Sequence, residues 1–370
     1  MNTEGFSHDI AVYIGRFQPF HAGHAALLQR ALDIAPVCVV VIGSAFQART
    51  PKNPFTWEER AEMIRLSLAG ADRNRLRFLP LRDYYDQERW AAAVRRDVGA
   101  GRIALVGHFK DPTSEYLRAF PGWALVSVER QTPVDATSIR AAYFSSAGHD
   151  LAATLGAMVN QAPPTTLLFL QAWSELPPFT ELAEEWRALK AYHEAWAAAP
   201  YPPVFVTVDA VVRCAGHVLL IQRAHAPGRG LLAVPGGFIE PRETVLQSAL
   251  RELVEETHLA LPADMLRRCL RAVVVFDHPE RSQRGRTITH AHLFDLGERS
   301  LPEVRADDDA QTVEWTPIER LATLEDRFYD DHFHMLDHFF GLTLGAPNED
   351  ASPVAANIVT AAVHAHGGAA

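Results

Sequence analysis

The sequence predicts an α/β protein of two consecutive domains, the first a parallel sheet covered by helices on both faces. Five short apolar runs, at 10–14, 37–42, 77–81, 103–106 and 123–128, alternate with helix-length segments, the pattern of a doubly covered parallel sheet. A stiff PYPP stretch at 200–203 then interrupts the chain, since proline resists both helix and sheet interior. The length, 370 residues, exceeds what one core organises. The expected division is 1–199, 200–344, and an Ala-, Gly- and Pro-rich tail at 345–370 that reads as disordered.

Composition narrows the function. An apolar fraction of 48% suffices for globular packing, and a net charge of −10 argues against a broad nucleic-acid footprint. Basic residues are therefore sought as local phosphate ligands. Cys38, Cys214 and Cys269 are widely spaced with no C-x-x-C pair, which fits buried thiols in a reducing compartment rather than a disulfide framework or zinc site. The first residues carry acids and no apolar signal core, and no run approaches a membrane span. The expectation is a soluble cytoplasmic protein with no nucleic-acid or membrane partner.

The first run ends in GRFQPFHAGH at 15–24. Gly15 breaks the strand, and His21 and His24 then open an apolar-periodic helix with both rings able to face one phosphate. A helix start presents unpaired N–H groups and the positive end of its dipole, so an anion is favoured there. Imidazole donors add to that where charge grows in a transition state. A lone H-x-x-H would read as an ordinary helix terminus; Gly15, Arg16, Gln18 and Gly23 beside it argue for more. Neither a P-loop nor a G-x-G-x-x-G fingerprint occurs in this half. Further along, Thr56 and Glu59 have capping-box spacing. Lys52 precedes them as a loop lysine or a phosphate contact. DATSIR at 135–140 opens a helix with Thr137, Ser138 and Arg140, a second anion site.

These ten residues resemble the signature of the nucleotidylyltransferase superfamily, and in expanded form the nicotinamide mononucleotide (NMN) adenylyltransferases. The resemblance implies a Rossmann-like domain in which His21, His24 and Arg16 act on the transferring phosphoryl group. It further implies that Gly15, Phe17, Lys52, His108, Lys110, Thr137, Ser138 and Arg140 contact nucleotide, and that Trp90 stacks on the nicotinamide ring, where the residue alone would read as core. Asp135 stands where the family often has Ser. The R-T-x-G-I-S-T-T pattern of cytidylyltransferases acting on alcohol phosphates is absent.

From 150 to 199 the reading is helical. Leu182, Trp186, Leu189, Tyr192 and Trp196 fall at offsets 0, 4, 7, 10 and 14, so one apolar face packs on the first domain or on a partner chain. A homo-oligomer is compatible with that face.

After two further strand-like runs, at 204–212 and 218–222, the chain reads PGGFIEPRETVLQSALRELVEETHL from 235 to 259. Counted from Gly237 this is G-x5-E-x7-R-E-L-x-E-E-x-H-L. A helix from Thr244 would place Leu246, Leu250 and Leu253 in the core and Glu252, Glu255 and Glu256 on another face. Carboxylates so placed repel unless a cation sits between them. A hard divalent ion, Mg²⁺ or Mn²⁺, suits them, with Gly237 letting a backbone carbonyl approach. Glu243 and Arg251 would pair and hold the loop. The frame resembles the Nudix box, with His258 in place of its Gly, and implies an α/β/α sandwich around a mixed sheet. Arg281, Arg284 and Arg286, on a Gly-containing loop, read either as ligands of a second phosphate or a ribose or as an exposed basic hairpin. That run resembles the ADP-ribose-directed Nudix branch, including regulators that bind ADP-ribose without cleaving it. His332, His334 and His338 lack an H-E-x-x-H frame and read as surface and packing residues.

Together the resemblances cover the chain to about residue 340. They imply two activities of NAD metabolism: transfer of the adenylyl group of ATP to NMN, giving NAD⁺, and metal-dependent hydrolysis of ADP-ribose. The second reading keeps the transferase and makes the Nudix fold a nucleotide sensor. Glu243, Glu252, Glu255 and Glu256 are all present, which a pure sensor does not need.

Overall fold

The computed structural model describes residues 5–107, 118–129, 134–307 and 309–343. The chain forms two compact units, one through Glu184 and one from Glu185.

In the first unit, β1 (Ile10–Gly15), β2 (Val37–Ile42), β3 (Leu76–Pro80), β4 (Ile103–Gly107) and β5 (Ala124–Ser127) form one sheet in the order β3-β2-β1-β4-β5. Every pairing is parallel. The helices between strands are α1 (Ala22–Ile34), α2 (Trp57–Leu66), the short α3 (Gly70–Arg73) and α4 (Gln87–Val98). Val12, Ile14, Val39, Val41 and Leu105 share a core with Val94 of α4. Their neighbours Ala11, Tyr13, Cys38 and Val40 are buried as well, as strands covered on both faces require. This is the expected Rossmann-like arrangement. The strand order reverses between β1 and β4, so a crevice opens beyond their C-terminal ends. After β5 come α5 (Ala136–Ser145), α6 (Leu151–Ala157), α7 (Pro164–Trp173) and α8 (Pro177–Ala195).

The division between units falls inside α8, earlier than the PYPP stretch. The aromatic stripe on this helix explains the difference. Leu182 is buried in the first unit, whereas Tyr192 and Trp196 pack on Phe205, 5.9 and 5.2 Å between ring centres, in the second. The stripe therefore serves two cores rather than one.

In the second unit, β6 (Val204–Cys214), β7 (His217–Arg223), β8 (Leu232–Ala233), β9 (Gly236–Phe238), β10 (Leu270–Phe276), β11 (Arg286–Asp295) and β12 (Ala310–Pro317) make a mixed sheet with main path β10-β11-β6-β7-β12. Only β11 and β6 run parallel; the remaining pairs are antiparallel. Ala210 and Val212 face α9 (Val245–Thr257) and α10 (Ala263–Cys269). Val211 faces a 3-10 segment (Ile318–Arg327) and α11 (His332–Phe340). Alternation along β6 thus yields the three-layer sandwich.

The three cysteines are buried and free, and no helix among the described residues is long and apolar enough to cross a membrane. The tail at 345–370, His108, Lys110 and Asp308 lie outside the described residues.

Candidate functional sites

Beyond β1 the chain turns in a way only its own sequence permits. A Cβ at Gly15 would meet the Phe17 ring at 2.8 Å, and Phe17 has a positive φ of 52°. The Phe17 ring is buried, edge-on to Tyr13 and to His24, each at 5.1 Å. Gln18 fixes the turn through its amide, which takes the Phe55 N–H at 3.0 Å and donates to the Phe55 carbonyl at 2.9 Å.

His21 is the N-cap of α1 and His24 its third residue, and they form a capping box from imidazoles. The Nδ1 of His21 accepts the Gly23 N–H at 3.1 Å, and the Nδ1 of His24 accepts the His21 N–H at 3.3 Å. The rings stack 3.6 Å apart. With Nδ1 accepting, a neutral ring carries its proton on Nε2, so both histidines are held as Nε2 donors.

They line a cleft of about 400 Å³ shared with Arg16, Lys52, Thr137 and Arg140. Arg140 donates to the Gln18 carbonyl at 2.6 Å and to Thr137 Oγ1 at 3.3 Å. Burial and the neighbouring charge of Arg16, against Asp135, pull Arg140 down from its ordinary value. Two guanidinium groups held in one cleft repel, and an anion between them relieves both. Asp135 caps α5, taking the N–H and the hydroxyl of Ser138, each at 2.9 Å. That cap commits Ser138 to its own helix, while Thr137 lines the cleft. Trp90 lies half-buried in the first turn of α4, 5.7 Å from Phe120.

The residue that sequence reasoning missed is Arg60. It has no exposure, and it donates to the carbonyls of Arg16 at 2.8 Å, Gly43 at 2.7 Å, Ser44 at 3.0 Å and Thr56 at 3.1 Å. Burial pulls it below its ordinary value, opposed by Asp83, Glu58 and Glu59. An arginine on an amphipathic helix gives no sequence signal of such a role. Arg60→Met is expected to lower the unfolding free energy by roughly 3 kcal/mol, because buried carbonyls lose their donors; urea denaturation measures it.

In the second unit α9 starts at the Thr244 N-cap, with a capping box to Gln247. Glu243 and Arg251 pair at 3.0 Å, as expected, and Glu243 also accepts the Ser248 hydroxyl at 2.7 Å. Arg251 reaches further, to Glu252 at 2.9 Å, Glu255 at 2.8 Å and the Phe238 carbonyl at 3.2 Å. Glu256 turns inward, 3% exposed, and accepts the Gly236 N–H at 2.9 Å. Of the three carboxylates expected around one cation, Glu252 and Glu255 are hydrogen-bonded to Arg251 and Glu256 accepts an amide, while Glu252 and Glu256 still act on one another electrostatically. Among the described residues no three metal-ligating groups are gathered ready-made. Burial first, and the Glu252 charge after it, push Glu256 up to about 8, against the Gly236 hydrogen bond. A Cβ at Gly237 would meet the Glu252 carboxylate at 2.5 Å, and one at Gly236 the Val208 carbonyl at 2.3 Å. Glycine is the residue that fits both.

Of the basic loop, Arg281 is turned into the protein and does not reach a ligand site as its spacing suggests. It is 5% exposed and bound by two hydrogen bonds to buried Asp331, at 2.7 and 2.8 Å. A guanidinium so engaged is a structural tie, not a ligand group. Arg286 donates to the Asp277 carbonyl. Arg284 lies over the Phe238 ring at 4.9 Å. His332, read from sequence as a surface or packing residue, is buried and accepts the Val234 N–H at 3.2 Å; burial holds it well below its ordinary value, hence neutral. Arg223, not singled out in the sequence, acts electrostatically on Glu256.

His258 takes the left-handed conformation that Gly eases, φ 43° and ψ 36°, and pairs with Asp307 at 2.6 Å. His258→Gly is expected to stabilise the chain by roughly 0.5 kcal/mol, relief of left-handed strain exceeding loss of an exposed pair; the thermal midpoint reads it.

Residues 203–339 match the NUDIX domain model and residues 12–118 the Cytidylyltransferase-like model. A nicotinamide/nicotinic acid mononucleotide adenylyltransferase of Acinetobacter baylyi is 34% identical over 190 residues, 50% of this chain and 96% of that protein. A crystal structure of a bifunctional NMN adenylyltransferase/ADP ribose pyrophosphatase from Francisella tularensis superposes with a TM-score of 0.83 at 36% identity, covering 90% of this chain and 99% of that one. A second Francisella tularensis structure of a bifunctional NMN adenylyltransferase/ADP ribose pyrophosphatase, complexed with AMP and a manganese ion, gives 0.81 at 36% identity with the same coverage.

Proposed function

The chain belongs to the family of bifunctional NMN adenylyltransferase/ADP-ribose pyrophosphatases, and on that premise we propose that it makes NAD⁺ at one site and cleaves ADP-ribose at the other. The observation that carries the first activity is the stacked pair His21 and His24, held as Nε2 donors in a cleft with Arg16, Lys52 and Arg140. A phosphate oxygen of NMN attacks the α-phosphorus of ATP; the new O–P bond forms as the bond to the β-phosphate oxygen breaks, and pyrophosphate leaves. Charge on the equatorial oxygens is met by the two imidazoles and the start of α1. Arg16 and Arg140 hold the phosphates on either side, and ATP enters as its Mg²⁺ complex. Trp90 serves as the platform for the nicotinamide ring.

In the second unit the donors fit a hard divalent cation. A carboxyl raised to about 8 by burial ionises readily only beside positive charge, and Arg251 already brings positive charge to Glu252 and Glu255. Glu252, Glu255, Glu256 and the Gly237 carbonyl would hold Mg²⁺ or Mn²⁺, which when bound neutralises the substrate diphosphate and acidifies water. The chain's own part is positional: Arg251 fixes Glu243 and the loop, and the glycines admit the diphosphate. Water adds to one phosphorus while the other phosphate leaves, giving AMP and ribose 5-phosphate. The sensor reading is disfavoured because all four box carboxylates are retained. We place both reactions in the cytoplasm.

One purified sample assayed for NAD⁺ from NMN and ATP, and for AMP from ADP-ribose with Mg²⁺, tests both claims. Absence of either product rejects the corresponding half.

A further inference from the structure

The main path of the second unit's sheet ends in β12 on one side and β10 on the other, and only one of these edges is guarded. An end strand offers a row of backbone N–H and C=O groups to any strand that approaches, and charge or proline within it discourages the approach. β12 carries Glu314 in the strand and Pro317 at its end. β10, LRAVVVF, has neither between Ala272 and Phe276, and no other strand lies on its outer side among the described residues. Its side chains are also unevenly covered. Phe276 packs on the core beside α11, with Ala272 and Val274 half-buried like it, whereas Val273 and Val275 are 46% and 50% exposed. An open edge and an apolar strip thus coincide on one strand.

The strip is closed by a charge of each sign. Arg271 and Asp277 are both exposed, and neither side chain makes a hydrogen bond or ion pair among the described residues. The bulge between Leu270 and Ala272 leaves Arg271 opposite no residue of β11. Consider two copies of this strand laid antiparallel, edge to edge, with Val274 at the centre. Val273 of each copy then lies opposite Val275 of the other, and Arg271 opposite Asp277. Directly opposed side chains in such a pair stand about 5 Å apart on one face, so the valines close on each other and each charge meets its opposite. Centring the pair on Val273 would set Arg271 against Val275, and centring it on Val275 would set Asp277 against Val273. Charge and apolar pattern therefore select the same register, and the strand is complementary to itself.

We propose that β10 is the contact between two copies of this chain, paired antiparallel about a twofold axis at Val274. The sheet then runs on from one second unit into the other, and the unguarded edge is covered in both copies at once.

The test is the mass of the full chain by sedimentation equilibrium, from about 1 to about 100 µM as suits a short interface. Wild type is compared with Arg271→Asp, Asp277→Arg and the double variant carrying both. Wild type is expected to reach the mass of two copies within that range. Each single change sets like charges opposite one another at two places, so its dissociation constant should rise roughly tenfold or more. The double variant exchanges the two signs and should return to within about threefold of wild type. A wild type that stays monomeric overturns the proposal. So does a dimer that the single variants leave intact, which would put the contact on another surface, and so do single losses that the exchange does not repair. Matching far-ultraviolet circular dichroism checks that the variants keep the fold. If a single variant does not fold, amide hydrogen exchange on the wild type decides instead. Protection of alternate amides within 272–276 that falls on dilution supports the pairing, and protection independent of concentration overturns it.

Discussion

His24→Ala is expected to lower NAD⁺ formation on the order of 10³-fold, the scale on which an oriented donor to a developing phosphoryl charge acts. Hydrolysis of ADP-ribose by the same sample should not change. The substitution also removes a cap, because the His24 Nδ1 accepts the His21 N–H. His24→Asn separates the two effects. Asn keeps an acceptor at this position, so the thermal midpoint should stay near that of wild type while transfer falls as in the alanine variant. A variant that recovers transfer with the cap alone would show His24 to be a helix-terminus residue and no more. Should both activities fall together, the two-site reading is wrong.

Glu256→Gln is expected to reduce ADP-ribose hydrolysis by a similar order, about 10³-fold, without loss of fold. The amide oxygen of Gln can still accept the Gly236 N–H that Glu256 accepts at 2.9 Å. The pH dependence of stability gives a second readout. The folded Glu256 carboxyl is raised from 4.5 to about 8, mainly by burial. A carboxyl raised on folding contributes stability while it is protonated; that contribution is lost as pH climbs from the unfolded value through about 8. With chelator present, the wild type should therefore lose thermal stability between pH 5 and 9, and E256Q should lose less. Added Mg²⁺ should restore the wild type at the alkaline end, since the ionised carboxylate then has a partner. Failure of Mg²⁺ to restore the wild type, or an equal restoration of E256Q, would remove Glu256 from the cation site.

Much of this molecule could be read in its sequence where the signal is local. The strand at 10–14 is a run of apolar residues closed by a glycine, and it appears as β1, one residue longer. Thr56 and Glu59 form the capping box that their spacing implies, and Glu243 finds Arg251 across a fixed interval. Signals that depend on distant partners were not legible. Arg281 resembles a phosphate ligand until Asp331, fifty positions on, is found against it. Arg60 is an ordinary helical arginine until the ends of two strands close around it. The inward turn of Glu256 required the amide of Gly236, which the box spacing alone does not bring to it. Local chemistry fixes which residue types are present; the fold decides which of them remain available.

The buried guanidinium of Arg60 has one more consequence. It binds the carbonyls of Arg16 and Gly43, and the Gly43 N–H in turn binds the Gly15 carbonyl at 3.0 Å. Gln18 is locked to Phe55, and Ala22 donates to the Gln161 carbonyl at 2.8 Å. The segment from Arg16 to His21 is irregular in conformation, yet it and the strand and helix ends that flank it are tied at successive points to other parts of its unit, Arg140 among them. Its order is established when the unit folds. A nucleotide arriving there meets a rigid frame, and little of its binding free energy is consumed in stilling the loop.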